Sequence, residues 1–300
     1  MNTIWFGLDI NPAASNIDDI FKRAQLADEL GFDIMTSQDH PYSRKFLDTW
    51  TMLTAIAMKT KRVRIGTNVS NLPLRPPAIL AKQVASLSLL ADREIHLGLG
   101  AGAFWKGVMA YGGEERTPKQ AYDAFYEALH IINGFWENTD KGYNYDGDYY
   151  QIKNAIPGPA PAHQPHIWVG GMGPKMLKLT GQVADGLWMS IPYALPEKLT
   201  WINEQIDAGA VSVDRNPAEI RRGYNLMGAI DPTMTTGQIS DKGLFGDVQF
   251  WVDQLSDLHE TYRQDTFNFW PTSDAPYDQI ERFAAEVIPA VRERFSPNPL

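Results

Sequence analysis

The sequence predicts an α/β fold, a single (β/α)8 TIM barrel over residues 1–300 with small insertions, and three observations carry that expectation. Short runs rich in β-branched and aromatic residues alternate with longer segments of helical period, the rhythm of βα units around a parallel sheet. Eight such units fit the 300 residues, where a doubly wound sheet would leave a separate second domain. No Gly/Ser-rich or charged linker divides the chain.

Strand one is expected at residues 5–10 and its helix at 17–30, where Ile20, Ala24, Leu26, Ala27 and Leu30 gather on one face and Gly31 supplies the stop. Strand two, 32–36, leads through Asp39, His40 and Pro41 into a helix at 47–59. Strand three, 63–69, precedes a Pro-rich turn and a helix at 78–90, for which Pro77 is a suitable first residue. Strand four, 95–99, runs into the glycine-rich segment 98–102, and its helix is 118–136. Residues 142–152, with their Asp-Gly pair, predict an inserted hairpin, and 157–165 is proline-rich and irregular. Strand and helix five are 166–169 and 174–183, pair six 186–190 and 196–208, and strand seven 220–227. The polar stretch at 228–246 is too long for a plain connector and reads as a lid. A helix at 247–262, strand eight at 266–269 and a helix at 277–294 complete the set.

The formal net charge is −9, with 27 basic and 36 acidic residues dispersed along the chain, so no footprint for nucleic acid is present. The absence of cysteine removes disulfides, thiolate nucleophiles, iron–sulfur clusters and Cys-type zinc sites. Neither a signal-like segment nor a run of eighteen apolar residues occurs, which predicts a cytoplasmic chain with no membrane partner.

Barrel active sites are built just past the strand ends, and that rule selects Asp9, Asp39, His40, Asn68, Val69, Ser70, Asn71, the segment from Gly100 to Trp105, the segment from Gly170 to Gly173, Ser190 and Asn225. The run from Val169 to Pro174 passes through three glycines into a helix, and is either a tight turn or a seat for phosphate at a helix N-terminus. Residues 98–102 fall short of a dinucleotide fingerprint, since position 103 is not glycine; they are either close backbone packing or room for a flat ring. His40 can move a proton near neutral pH, or is an ordinary polar loop residue. His96, His130, His163, His166 and His259 form no metal-ligand spacing, so no metal is expected. Lys178, Arg221 and Arg222 are either phosphate ligands or solvated charges.

Four segments together resemble the bacterial luciferase-like superfamily of flavin- and deazaflavin-dependent oxidoreductases: LADELGFDIMTSQDHPY at 26–42, RIGTNVSNLPLRPPAILAKQVASLSLL at 64–90, IHLGLGAG at 95–102 and VGGMGPKMLKLTGQVADGLW at 169–188. The resemblance implies a luciferase-like barrel in which a tricyclic ring rests on a bulge at Asn68, Val69 and Ser70 that often contains a cis peptide. It further implies Asp39 and His40 beside the ring, Gly100, Ala101 and Gly102 along its tail, and Gly170, Gly171, Met172 and Gly173 at the phosphate. The Asp39-His40 pair and the GPKML…ADG segment look like the branch that uses the deazaflavin coenzyme F-420, with FMN the alternative cofactor. Implied too are hydride transfer to or from a small organic substrate, His40 as the catalytic group, and a homodimer. Relatives often carry an acidic residue after the G-x-G-x-G stretch, and Ala103, Phe104 and Trp105 here suggest an apolar substrate pocket instead, completed by Asp9, Asn71 and Ser190. An FMN-dependent monooxygenase and a non-catalytic flavin-binding protein are the competing readings.

Overall fold

The computed structural model describes residues 3–295. In chain order the elements are β1 (Trp5–Asp9), α1 (Ile17–Leu30), β2 (Ile34–Ser37), α2 (Thr49–Lys59), β3 (Arg64–Thr67), β4 (Ser70–Asn71), α3 (Pro77–Ala91), β5 (Ile95–Gly100), α4 (Trp105–Ala110), α5 (Pro118–Glu137), β6 (Tyr143–Asp146), β7 (Gln151–Ala155), β8 (His166–Gly170) and α6 (Pro174–Val183). They continue with β9 (Gly186–Ser190), α7 (Pro196–Val211), β10 (Arg221–Ile230), β11 (Gln238–Ser240), β12 (Gly243–Gly246), α8 (Val248–Glu260), β13 (Thr266–Pro271), α9 (Pro276–Arg282) and α10 (Ile288–Phe295). Strands β1, β2, β3, β5, β8, β9, β10 and β13 each lead into a helix and pair in parallel, the (β/α)8 order the sequence predicts.

Local chemistry sets the helix boundaries. Asp48 accepts the Thr51 amide at 2.9 Å to start α2, Asp247 accepts that of Phe250 at 2.8 Å to start α8, and Thr117 with Gln120 forms a capping box before Pro118. At the far end of α2 the buried Arg93 guanidinium donates to the carbonyls of Ala57, Thr60 and Val63, answering acceptors that a helix end leaves open.

Contacts divide the chain into two compact units, residues 1–10, 22–36 and 171–300 in one and 11–21 and 37–170 in the other. In the first, parallel pairing runs β9, β10, β13, β1, β2, over a core of aromatic rings in which Phe283 stacks on Phe269 at 4.5 Å and on Phe32 at 6.0 Å. In the second, β3, β5 and β8 pair in parallel, β4 pairs with β5, and Leu97, Leu99 and Val169 are wholly buried. Its inserted hairpin forms as β6 and β7, and reaches Ala155. The buried Glu127 of α5 holds the hairpin by accepting the amides of Asp148, Tyr149 and Tyr150 at 2.8 to 3.0 Å.

Four expectations need correction. The stretch 228–246 is not an unstructured lid: β12 pairs in parallel with the end of β10, which itself extends to Ile230, and β11 pairs antiparallel with β12. Strand three is interrupted between Thr67 and Ser70. The short α4 was not expected, since six residues without a side-chain cap give no periodic signal. The last helix is broken by a π turn at Phe283–Val287. No helix among the described residues is long and apolar enough to cross a membrane.

Candidate active site

Past β2 the chain turns through Asp39, which is 2% exposed, and a carboxylate so buried persists only where charge and hydrogen bonds answer it. Arg75 Nε lies 2.6 Å from its Oδ2 and Nη2 2.8 Å from Oδ1, and the Asn71 amide donates to Oδ2 at 2.9 Å. Arg75 Nη2 also reaches Asp48 Oδ2 at 2.6 Å. The Asp39 carboxylate, expected beside a cofactor, is therefore engaged within the protein. Any part it has in binding runs through the turn it holds.

Between β3 and β4 lie Asn68 and Val69, and the peptide bond joining them is cis. A Cβ at Gly98 would strike the Thr67 carbonyl oxygen, and at Gly100 and Gly170 it would come within 2.8 and 2.9 Å of Val69 Cγ2. Three glycines of β5 and β8 thus leave a seat for the Val69 side chain, so at Gly98 and Gly100 close backbone packing is the reading that holds. Thr67 Oγ1 donates to the Gly98 carbonyl at 2.8 Å, Ser70 Oγ to Thr67 Oγ1 at 3.0 Å, and Trp50 Nε1 to Ser70 Oγ at 3.1 Å. One atom of this turn is left over. Asn71 Oδ1 is buried and has no partner in hydrogen-bonding geometry among the described residues.

His40 stands beside the turn, half-buried, its Nδ1 2.9 Å from the Tyr42 hydroxyl. Burial lowers its pKa, with the Asp39 charge opposing, while burial and then the Asp39 charge raise that of Tyr42, the Asn71 side chain acting the other way. The pair is therefore a neutral imidazole and a protonated phenol at neutral pH. The Tyr42 ring lies 5.2 Å from Phe104. Gly102 has φ of 99°, and a Cβ there would meet Pro73 at 2.6 Å and the Trp105 ring at 2.8 Å, so both backbone and space demand glycine. Beyond Ala103, Phe104, Met109 and Tyr111 are 56%, 46% and 56% exposed, a run of apolar surface on this unit.

In the other unit Asp9 closes β1, 5% exposed, and neither of its carboxyl oxygens has a hydrogen-bond partner among the described residues. Burial pushes its pKa up to about 8, and Thr36, its register partner on β2, opposes that only in part. Thr36 Oγ1 and Asn268 Oδ1 are likewise buried without a partner. Asn268 donates to Asn225 Oδ1 at 3.0 Å, and Asn225 Nδ2 to Ser190 Oγ at 2.8 Å, which places the predicted Asp9, Ser190 and Asn225 on one set of paired strands. Gly173 precedes α6 with no side-chain cap, and a Cβ at Gly171 would meet Met176 at 2.6 Å. Arg222 is no phosphate ligand or solvated charge: it is buried on Asn203, the Ile220 carbonyl and Asp207. Arg221 lies over the Trp5 ring at 3.5 Å.

The sequence kept the histidines apart, yet β5 and β8 bring His96 and His166 into register, rings 4.9 Å apart, with Glu94 beside them. Ligand atoms of the three lie within 4.8 Å of one another. Their chemistry is already engaged. Arg64 Nε holds Glu94 at 2.6 Å, and Trp168 Nε1 donates to His96 Nδ1 at 2.9 Å, which puts the proton of the neutral ring on the other nitrogen and leaves no lone pair there for a metal.

A family model for luciferase-like monooxygenases matches residues 3–236 of the chain. A 5,10-methylenetetrahydromethanopterin reductase of Methanolobus tindarius is 30% identical over 215 residues, 72% of this chain and 62% of that protein. An F-420-dependent glucose-6-phosphate dehydrogenase of Amycolatopsis mediterranei is 30% identical over 174 residues, 56% of this chain and 52% of that protein. The chain thus spans about half to three fifths of the length of these relatives. Among solved structures, an F-420-dependent secondary alcohol dehydrogenase in complex with an F-420-acetone adduct superposes with a TM-score of 0.84 at 22% identity, covering 97% of this chain and 100% of that one. That likeness shows a shared (β/α)8 fold.

Proposed function

The chain belongs to the luciferase-like monooxygenase family, and from that premise we propose that it is a hydride-transfer oxidoreductase using the deazaflavin coenzyme F-420 on a small, fairly apolar organic substrate. The observation that carries the reading is the turn at Asn68–Asn71: it is seated by glycines, held by Asp39, flanked by a neutral His40, and presents the unpartnered Asn71 Oδ1. Those residues fit a flat, polar-edged ring. The F-420-dependent relative of Amycolatopsis mediterranei favours the deazaflavin over FMN in this reading.

When bound, the deazaflavin supplies hydride transfer. Asn68, Val69 and Ser70 would hold its ring, with Ala101 and Gly102 along the tail. With Nδ1 2.9 Å from the Tyr42 hydroxyl and its pKa lowered by burial, His40 is a neutral imidazole that can take or give a proton in place of carrying a charge. Phe104 and Trp105 wall the substrate and exclude water. In the other unit Asp9, held neutral by burial, is a group able to donate a proton at neutral pH. Asn71 is a further polar contact to substrate. A homodimer rests on the resemblance; sedimentation at twice the chain mass checks it.

Calorimetry with each cofactor decides the matter. Tight F-420 binding is expected; tight FMN binding without F-420 binding, accompanied by oxygen uptake with a flavin reductase, moves the chain to the monooxygenase reading. His40→Ala should lower turnover about 100-fold, and unchanged turnover would leave His40 without a catalytic part.

A further inference from the structure

One cation joins two carboxylates from distant parts of the sequence. Arg75 is bidentate on Asp39 and reaches Asp48 with the same Nη2, at 2.6 to 2.8 Å throughout. Its side chain is 11% exposed and that of Asp39 1%. Asp48 is also the N-cap of α2, and Asp39 also accepts the Asn71 amide. A continuous path of charge-assisted bonds therefore leads from the start of α2, through Arg75 and Asp39, to the backbone that ends the Asn68–Asn71 turn. We propose that Arg75 is the positioning residue of this turn: by gripping Asp39 it fixes the Asn71 amide, and with it the surface offered to the cofactor ring. The inference rests on the F-420 reading given above for its ligand, though not for the lock itself.

A purely structural ion pair is the competing account, and the anchorage of α2 separates the two. That helix has supports independent of the turn: Arg93 closes its C-terminal carbonyls, and Leu53 and Ile56 are fully buried. The Asn71 amide has the Asp39 carboxylate as its acceptor. Loss of the Arg75 grip should therefore loosen the turn while leaving α2 in place. Lysine cannot replace it, because a point charge cannot hold both Asp39 oxygens and Asp48 in one plane.

The test uses the full chain in two variants, Arg75→Lys and the charge-neutral pair Asp39→Asn with Arg75→Gln, the second guarding against misfolding from an uncompensated carboxylate. In the ligand-free protein, amide hydrogen exchange across residues 68–72 should quicken on the order of tenfold in both, with α2 unchanged beyond its first turn. F-420 affinity, read by its fluorescence, should weaken about tenfold, the share of one charge-assisted hydrogen bond. In Arg75→Ala, added guanidinium should restore part of that affinity. Unchanged exchange at 68–72, or faster exchange with wild-type F-420 affinity, overturns the inference. Wild-type protein that binds neither F-420 nor FMN overturns the functional reading instead, and the exchange measurement still tests the lock.

Discussion

Asp39 and Asp9 are two aspartates at strand ends, both all but inaccessible, with opposite surroundings. Every oxygen of Asp39 is answered, by a guanidinium and a backbone amide, and the result is a turn tied to its neighbours. Asp9 has no such answer among the described residues, and its carboxyl is driven towards the neutral acid. Burial alone therefore does not say what a carboxylate is for; its partners do. A satisfied one builds scaffold, and an unsatisfied one is a reagent in waiting.

The contrast can be broken experimentally. Asp39→Ala should cost about 3 kcal/mol, because it leaves the part-buried Arg75 guanidinium with Asp48 alone and the Asn71 amide without its acceptor, and urea unfolding would read it. A loss below about 1 kcal/mol would place Asp39 among ordinary surface pairs and end the comparison.

The next effect depends on pH and concerns Asp9. Its folded pKa of about 8 lies above the ordinary value of 3.8, so the fold binds this proton more tightly than the unfolded chain does. The stabilisation is whole below about pH 4 and is lost as pH rises through about 8. Compared with Asp9→Asn, the wild type should lose on the order of 2–3 kcal/mol between pH 5 and 9, less than the full linkage value because an ionising buried carboxylate draws in water. Parallel melting curves of the two proteins across that range would sink the claim that Asp9 is held neutral.

Smaller still is Ser190→Ala, which takes the acceptor from Asn225 Nδ2 and should cost about 1 kcal/mol. Were it to cost several times more, the row Ser190, Asn225 and Asn268 would be scaffold like the Asp39 turn, and Asp9 would stand apart from it.

The alternation of strand and helix was legible because periodicity is a local property, and so were the residues past the strand ends. What escaped prediction depends on partners distant in sequence. Nothing around Arg75 marks it, since Asp39 lies 36 residues away. The glycines at 98 and 100 read equally as close backbone packing or as space for a ligand ring, and only pairing of β5 beside the Thr67–Ser70 turn shows that Val69 fills it. His96 and His166 meet through strand register alone. The segment at 228–246 looked like a lid because strands of three and four residues interrupted by glycine carry no period.

The glycine seat beneath Val69 also sets the terms for redesign. Any attempt to change which compounds the protein accepts has freedom at the exposed positions Phe104, Met109 and Tyr111, though not at the buried Gly107 and Val108 between them. Positions 98, 100 and 170 offer none, because even a methyl group there would displace the floor against which every new pocket would have to be shaped.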